Sequence, residues 1–83
     1  MYRIEILKQA DKNLRSLPID YRHTISQAIQ NLSTNPRPDG CKKLKDTEFY
    51  RIRIGPYRVI YTIHDDILLV VILRIGHRKD IYR

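Results

Sequence analysis

Arginines at 51, 53 and 58, lysines at 42, 43 and 45 just before them, and a closing run of His77, Arg78, Lys79 and Tyr82 are the side chains here whose types could do chemistry together. Arginine stays protonated at any working pH and presents a planar fork of donors, so it suits holding a phosphate better than moving a proton. Tyr82 is the reverse case. An unperturbed phenol with a pKa near 10 is only about 0.1% ionised at pH 7, but surrounding cations lower the cost of ionising it. Such a set suits RNA cleavage by positioning, in which a 2′-hydroxyl attacks its own phosphodiester. The protein must then align the attacking oxygen, stabilise the phosphorane charge and handle two protons. Arg58 and Arg78 can hold charge; Tyr82, close to Arg78, Lys79 and Arg83, is the candidate proton acceptor, with His77 next in line. Arg51, Arg53, Lys42, Lys43, Lys45 and Lys79 are candidate RNA and phosphate contacts.

Other chemistries lack their motifs. The chain has no HExxH, CxxC, Gly-rich phosphate loop or GxSxG, so metalloprotease, redox, P-loop and hydrolase sites are not expected, nor is a metal or cofactor. His23 reads as a surface residue of a helix and His64 as a residue beside a turn. Asp65-Asp66 reads as a hairpin turn rather than a carboxylate pair. The single cysteine, Cys41, can form no internal disulfide, and a reducing cytoplasm is the expected location. No run is apolar enough for a leader or membrane span, so no membrane partner is expected. The net charge of +7 favours a polyanion. It is concentrated in the second half: residues 1–41 carry 6 basic and 4 acidic groups, residues 42–83 carry 10 and 5.

Eighty-three residues allow one domain, 1–83, with one core. Tyr2, Ile4 and Ile6 alternate with charged residues, which predicts a strand over 2–7. Leu7, Ala10, Leu14 and Leu17 recur at helical spacing and stop before Pro18; Tyr21, Ile25, Ala28, Ile29 and Leu32 form a second stripe ahead of Asn35-Pro36. Residues 35–47 read as an exposed basic loop anchored by Leu44. Beyond it Tyr50, Ile52 and Ile54, then Tyr57, Val59, Tyr61 and Ile63, predict a hairpin turning at Gly55-Pro56, and 67–75 a central strand buried on both faces. The expected fold is α+β: a strand, a helical hairpin, then a three-stranded antiparallel meander, with both helices on one face.

Two-residue turns at Gly55-Pro56 and Asp65-Asp66 set a register. Arg53 then lies opposite Arg58 with Arg51 one step along, on the face that also carries Ile60, Leu69, Val71 and Leu73. Ile52, Val59 and Ile72 share the other face, with Tyr50, Tyr61 and Val70 stacked beside them. Like charges facing each other cost roughly 0.2 to 1 kcal/mol per pair. An anion offsets that cost, and the apolar floor between the arginines suits stacked bases. The plainer reading makes the three arginines the solvated side of a sheet. A bulge at Gly55-Pro56 would also send Arg53 and Arg58 to opposite faces.

The order strand, two helices, three strands, carried by YRIRI, YRVIY and the terminal VVILRIGHRKDIYR, resembles the RelE/ParE toxin superfamily, RelE branch, over essentially the whole chain. The resemblance implies a compact fold related to microbial ribonucleases and a type II toxin that cleaves messenger RNA in the ribosomal A site, beside 16S ribosomal RNA. It also implies inhibition by a RelB-like antitoxin in a hetero-oligomeric complex. The family's basic positions fall on Arg51, Arg53 and Arg58, its arginine after the glycine on Arg78 and its terminal tyrosine on Tyr82. Well-known members have lysine where this chain has Arg51 and Arg53, which assigns those two to charge stabilisation. His77 fills a slot where some members have lysine. The alternatives are a ParE-like inhibitor of DNA gyrase, on the same fold but generally without the arginine and tyrosine pair, and a non-catalytic nucleic-acid-binding module.

Overall fold

The structure is a computed structural model that describes residues 1–77. Its elements are β1 (Arg3–Ile6), α1 (Lys8–Arg15), α2 (Ile19–Asn31), β2 (Lys42–Lys43), β3 (Tyr50–Ile54), β4 (Tyr57–His64) and β5 (Leu69–His77). The five strands form one mixed sheet in the order β1-β5-β4-β3-β2. β1 runs parallel to β5 and the remaining pairs are antiparallel. The α+β class, the helical hairpin and the three-stranded meander of the sequence reading are all present. The first strand completes one edge of the sheet. Lys42–Lys43, expected to lie in a loop, pair with Arg51 and Tyr50 at the other edge.

Leu17 and Pro18 part the helices. Ser16 closes α1 with its N–H on the carbonyl of Asn13, and Pro18, with no N–H to satisfy, takes the position just before α2. The apolar stripes of both helices, including Ala10, Leu17, Ile25, Ile29 and Leu32, pack on one face of the sheet. Ile52, Val59, Tyr61, Val70, Ile72 and Ile75 complete that core. The stripes are not buried throughout, since Leu7 and Tyr21 remain exposed.

The first hairpin turns at Gly55-Pro56 with the expected two-residue loop, so Arg53 faces Arg58 and Arg51 faces Ile60. Gly55 has φ +57°, as a tight turn of this kind demands of its first position. A Cβ there would stand 2.7 Å from the Tyr21 ring, so glycine is needed for space as well as for dihedral angle.

The second turn differs from expectation. It spans 65–68, with His64 facing Leu69, because Leu68 adopts φ +51° and lengthens the loop beyond Asp65-Asp66. That shift of two residues preserves the faces. A bulge then shifts the register by one more: Tyr61 faces Ile72 but Ile60 faces Arg74. The expected neighbours are therefore corrected, with Ile75 rather than Ile72 opposite Val59 and Arg74 rather than Val71 opposite Ile60. Leu73 is the extra residue.

Candidate nucleic-acid interface

Alternation along β3 and β4 turns Arg51, Arg53, Arg58 and Ile60 away from the helices. Two rows cross this far face. One reads Lys42, Arg51, Ile60, Arg74 across β2 to β5, and the next reads Arg53, Arg58, Gly76. Three of the expected contacts, Arg51, Arg53 and Arg58, are thus brought together, and Lys42 joins them through its pairing with Arg51. Lys43 pairs with Tyr50 in a different row and reaches Glu48 at 3.9 Å, while Lys45 lies in the β2–β3 turn. Arg78, Lys79 and Tyr82 lie outside the described residues.

The face is not a solvated one at its centre. Arg51 is 6% exposed and Arg58 8%, as deep as the apolar Ile60 and Leu69 of the same face. Burying a guanidinium is costly because its donors lose water, and each buried donor left without an acceptor adds about 1 to 3 kcal/mol. Arg51 Nε is such an atom, with no acceptor among the described residues. Arg53 and Lys42 stay exposed. Arg51 and Arg53 also border a concavity of about 420 Å³ whose other wall is the 39–42 loop.

That wall is held by a cluster the sequence reading did not find. Arg37 donates to both Asp65 oxygens, at 2.9 and 3.3 Å, and its guanidinium stands 5.3 Å from the Tyr50 ring centre. Tyr2 donates to the same carboxylate. Bonding to Arg37 and then to Tyr2 holds Asp65 below the usual carboxylate range, and Asp65 in turn raises the Tyr2 phenol. Deeper in, the Tyr61 hydroxyl donates to the Pro36 carbonyl at 2.8 Å and lies 3.1 Å from Cys41 Sγ. Burial first, then Cys41, pushes that phenol well above its ordinary value. The loop that reads as exposed is therefore clasped to the sheet at Tyr50, Tyr61 and Asp65. Arg37 and Asp65 stand 28 residues apart, and no local pattern marks them as partners.

His77 ends β5 opposite Tyr57, with ring centroids 5.9 Å apart at 82°. This places it in a row with the core-facing residues, at the end of the sheet, and the arginine face receives Gly76 instead. Arg74, which the sequence reading did not select, stands on that face because of the bulge. His23 and His64 are both exposed, and among the described residues no group of acidic, histidine and cysteine side chains is arranged to hold a metal. No helix among the described residues is long and apolar enough to cross a membrane.

Residues 4–82 match the family described as the ParE toxin of the type II toxin-antitoxin system, parDE. RelE1 of Methanocaldococcus jannaschii is 35% identical over 99% of this chain and 96% of its own length. Toxin RelG of Mycobacterium tuberculosis is likewise 35% identical, over 99% and 97%. The archaeal RelE–RelB complex of Pyrococcus horikoshii contains a chain 33% identical to this one, superposing with a TM-score of 0.84 over 95% of this chain and 97% of that one. A matching family over nearly the whole length, relatives covered almost end to end and the same sheet with its two helices place the chain in the RelE/ParE toxin superfamily of type II toxin–antitoxin systems.

Proposed function

We propose that this toxin is a ribosome-dependent endoribonuclease that cuts messenger RNA in the A site and so stops translation. The observation that carries the reading is the arginine face, where Arg51 and Arg58 are buried, Arg53 flanks them, and an acceptor is missing at Arg51 Nε. A phosphodiester supplies both acceptor oxygens and negative charge. Held there, the scissile phosphate develops its phosphorane charge against fixed cations that need no reorganisation. Arg58, and Arg78 from the tail, stabilise that charge; Arg51 and Arg53 add to its stabilisation while they hold the RNA backbone. Tyr82 takes the proton from the attacking 2′-hydroxyl, a role assigned from the cations flanking it in sequence and from the family's matching position. Arginine cannot take it at neutral pH.

The partner is a RelB-like antitoxin whose acidic, partly helical segment folds on binding and covers the arginines, which supports a hetero-oligomeric resting state. The RelE–RelB complex of the Pyrococcus relative supports this. A ParE-like inhibitor of DNA gyrase is a second reading, favoured by the description of the matching family. Binding to programmed ribosomes across a salt series tests the first reading. Arg53→Ala and Arg58→Ala should each lower the slope of log affinity against log salt by roughly 0.7 to 0.9. Unchanged slopes in both place the RNA site elsewhere.

A further inference from the structure

We propose that Arg74 is a further RNA contact of this face, taking a backbone phosphate at its β5 side, and that the bulge at Leu73 is the device that puts it there. The inference rests on the RNA reading above. Without the extra residue, the register at Tyr61–Ile72 would continue so that Ile60 faced Leu73 and Val59 faced Arg74. The first is an apolar pair on the far face; the second buries a guanidinium against a residue with no exposure. The bulge resolves both positions together. Ile75 takes the place opposite Val59, at 2% exposure, and Arg74 comes out opposite Ile60. Bulges commonly re-aim a side chain beside a functional site.

The core explains why position 75 is apolar and why 74 points outward. It does not ask for a cation at 74, in a row that already holds Arg51 and Lys42. Neighbouring strands lie about 4.8 Å apart, so the Arg74 and Arg51 backbones sit roughly 10 Å apart across Ile60. Cation, apolar side chain, cation is the alternation that suits a single strand, whose phosphates and bases alternate in the same way. In the next row Gly76, opposite Arg58, offers no side chain. Among the described residues no carboxylate forms an ion pair with Arg74. Glu5 is on the same face but opposite Val71, on the far side of the bulge. The strand beyond the bulge is fixed from α1, where Asn13 Oδ1 accepts the Ile75 N–H at 3.2 Å. The backbone beside Arg74 is therefore held before any ligand arrives.

The test is a salt series of binding by the full-length toxin to ribosomes programmed with a labelled RNA message and to polyglutamate, an acidic polypeptide. Thermal melts check that each variant is folded. Arg74→Ala should reduce the salt slope for RNA by about 0.7, Arg74→Lys should restore it, and the melting temperature should not move because the side chain is exposed. If the parent binds and cleaves RNA while Arg74→Ala keeps the parent slope, this inference fails and the ribonuclease reading stands. A loss confined to polyglutamate assigns Arg74 to an acidic polypeptide and overturns the inference too. A parent that neither binds nor cleaves RNA overturns both.

Discussion

Tyr82 and Arg51 carry different parts of the proposed reaction, and single substitutions separate them. Tyr82→Phe keeps the ring but removes the ionisable oxygen. Ribosome binding should persist while single-turnover cleavage falls about 10²- to 10⁴-fold, the usual worth of general acid–base catalysis. Wild-type cleavage by that variant would pass the proton to another group. Arg51 makes the opposite kind of prediction. Its buried Nε lacks an acceptor among the described residues, so the free protein carries a cost that bound phosphate relieves. Arg51→Met keeps the stem volume without the donor. Thermal denaturation should show a gain of about 1 kcal/mol in the absence of RNA, and ribosome binding should weaken. A destabilised Arg51→Met protein would mean that Arg51 supports the fold rather than the ligand.

The elements place these residues through features that differ in how far they can be read from sequence. Gly55-Pro56 is a turn signal between two alternating runs, so the pairing of Arg53 with Arg58 and the whole first hairpin were legible. Gly55→Ala should cost at least about 1 to 2 kcal/mol in chemical denaturation, since alanine pays for φ +57° and also meets the Tyr21 ring. The second hairpin was less legible. Asp65-Asp66 looks like a complete turn, but Leu68, a leucine at φ +51°, extends it, and nothing in a leucine announces that conformation. The bulge at Leu73 is equally silent, because ILLVVILRI is apolar enough to satisfy either register until the buried Val59 excludes an arginine. Arg74 was missed for that reason. The clasp of Arg37, Asp65 and Tyr2 was missed because it depends on the fold bringing 2, 37 and 65 together. Its chemistry predicts a pH dependence. Asp65 is held below its unfolded value by Arg37, so its contribution is present above about pH 4 and is lost as pH falls through the lower folded value. Asp65→Asn should flatten the acid limb of the stability profile, measured by denaturation between pH 2 and 5 at about physiological salt. An unchanged acid limb would mean the clasp does not hold in solution.

Across the whole molecule the net charge is +7, and the sheet's helical side is committed to the core, which leaves its arginine-bearing face for a polyanion. The same face must be silenced in a toxin, and one surface serves both partners if the antitoxin covers the arginines. Hydrogen exchange should then show new protection across residues 49–60 and 74–83 when antitoxin is added; protection confined to the helices would separate the two surfaces. Cleavage of ribosome-bound message by 2′-hydroxyl attack can be decided by single-turnover reactions on two messages in programmed ribosomes. One is all-ribose and the other carries a single 2′-deoxy residue at the cut position. The first should be cleaved, ending in a 2′,3′-cyclic phosphate, and the second should stay intact at that bond. No cleavage of either message, with gyrase-dependent DNA breaks in its place, would contradict the ribonuclease reading.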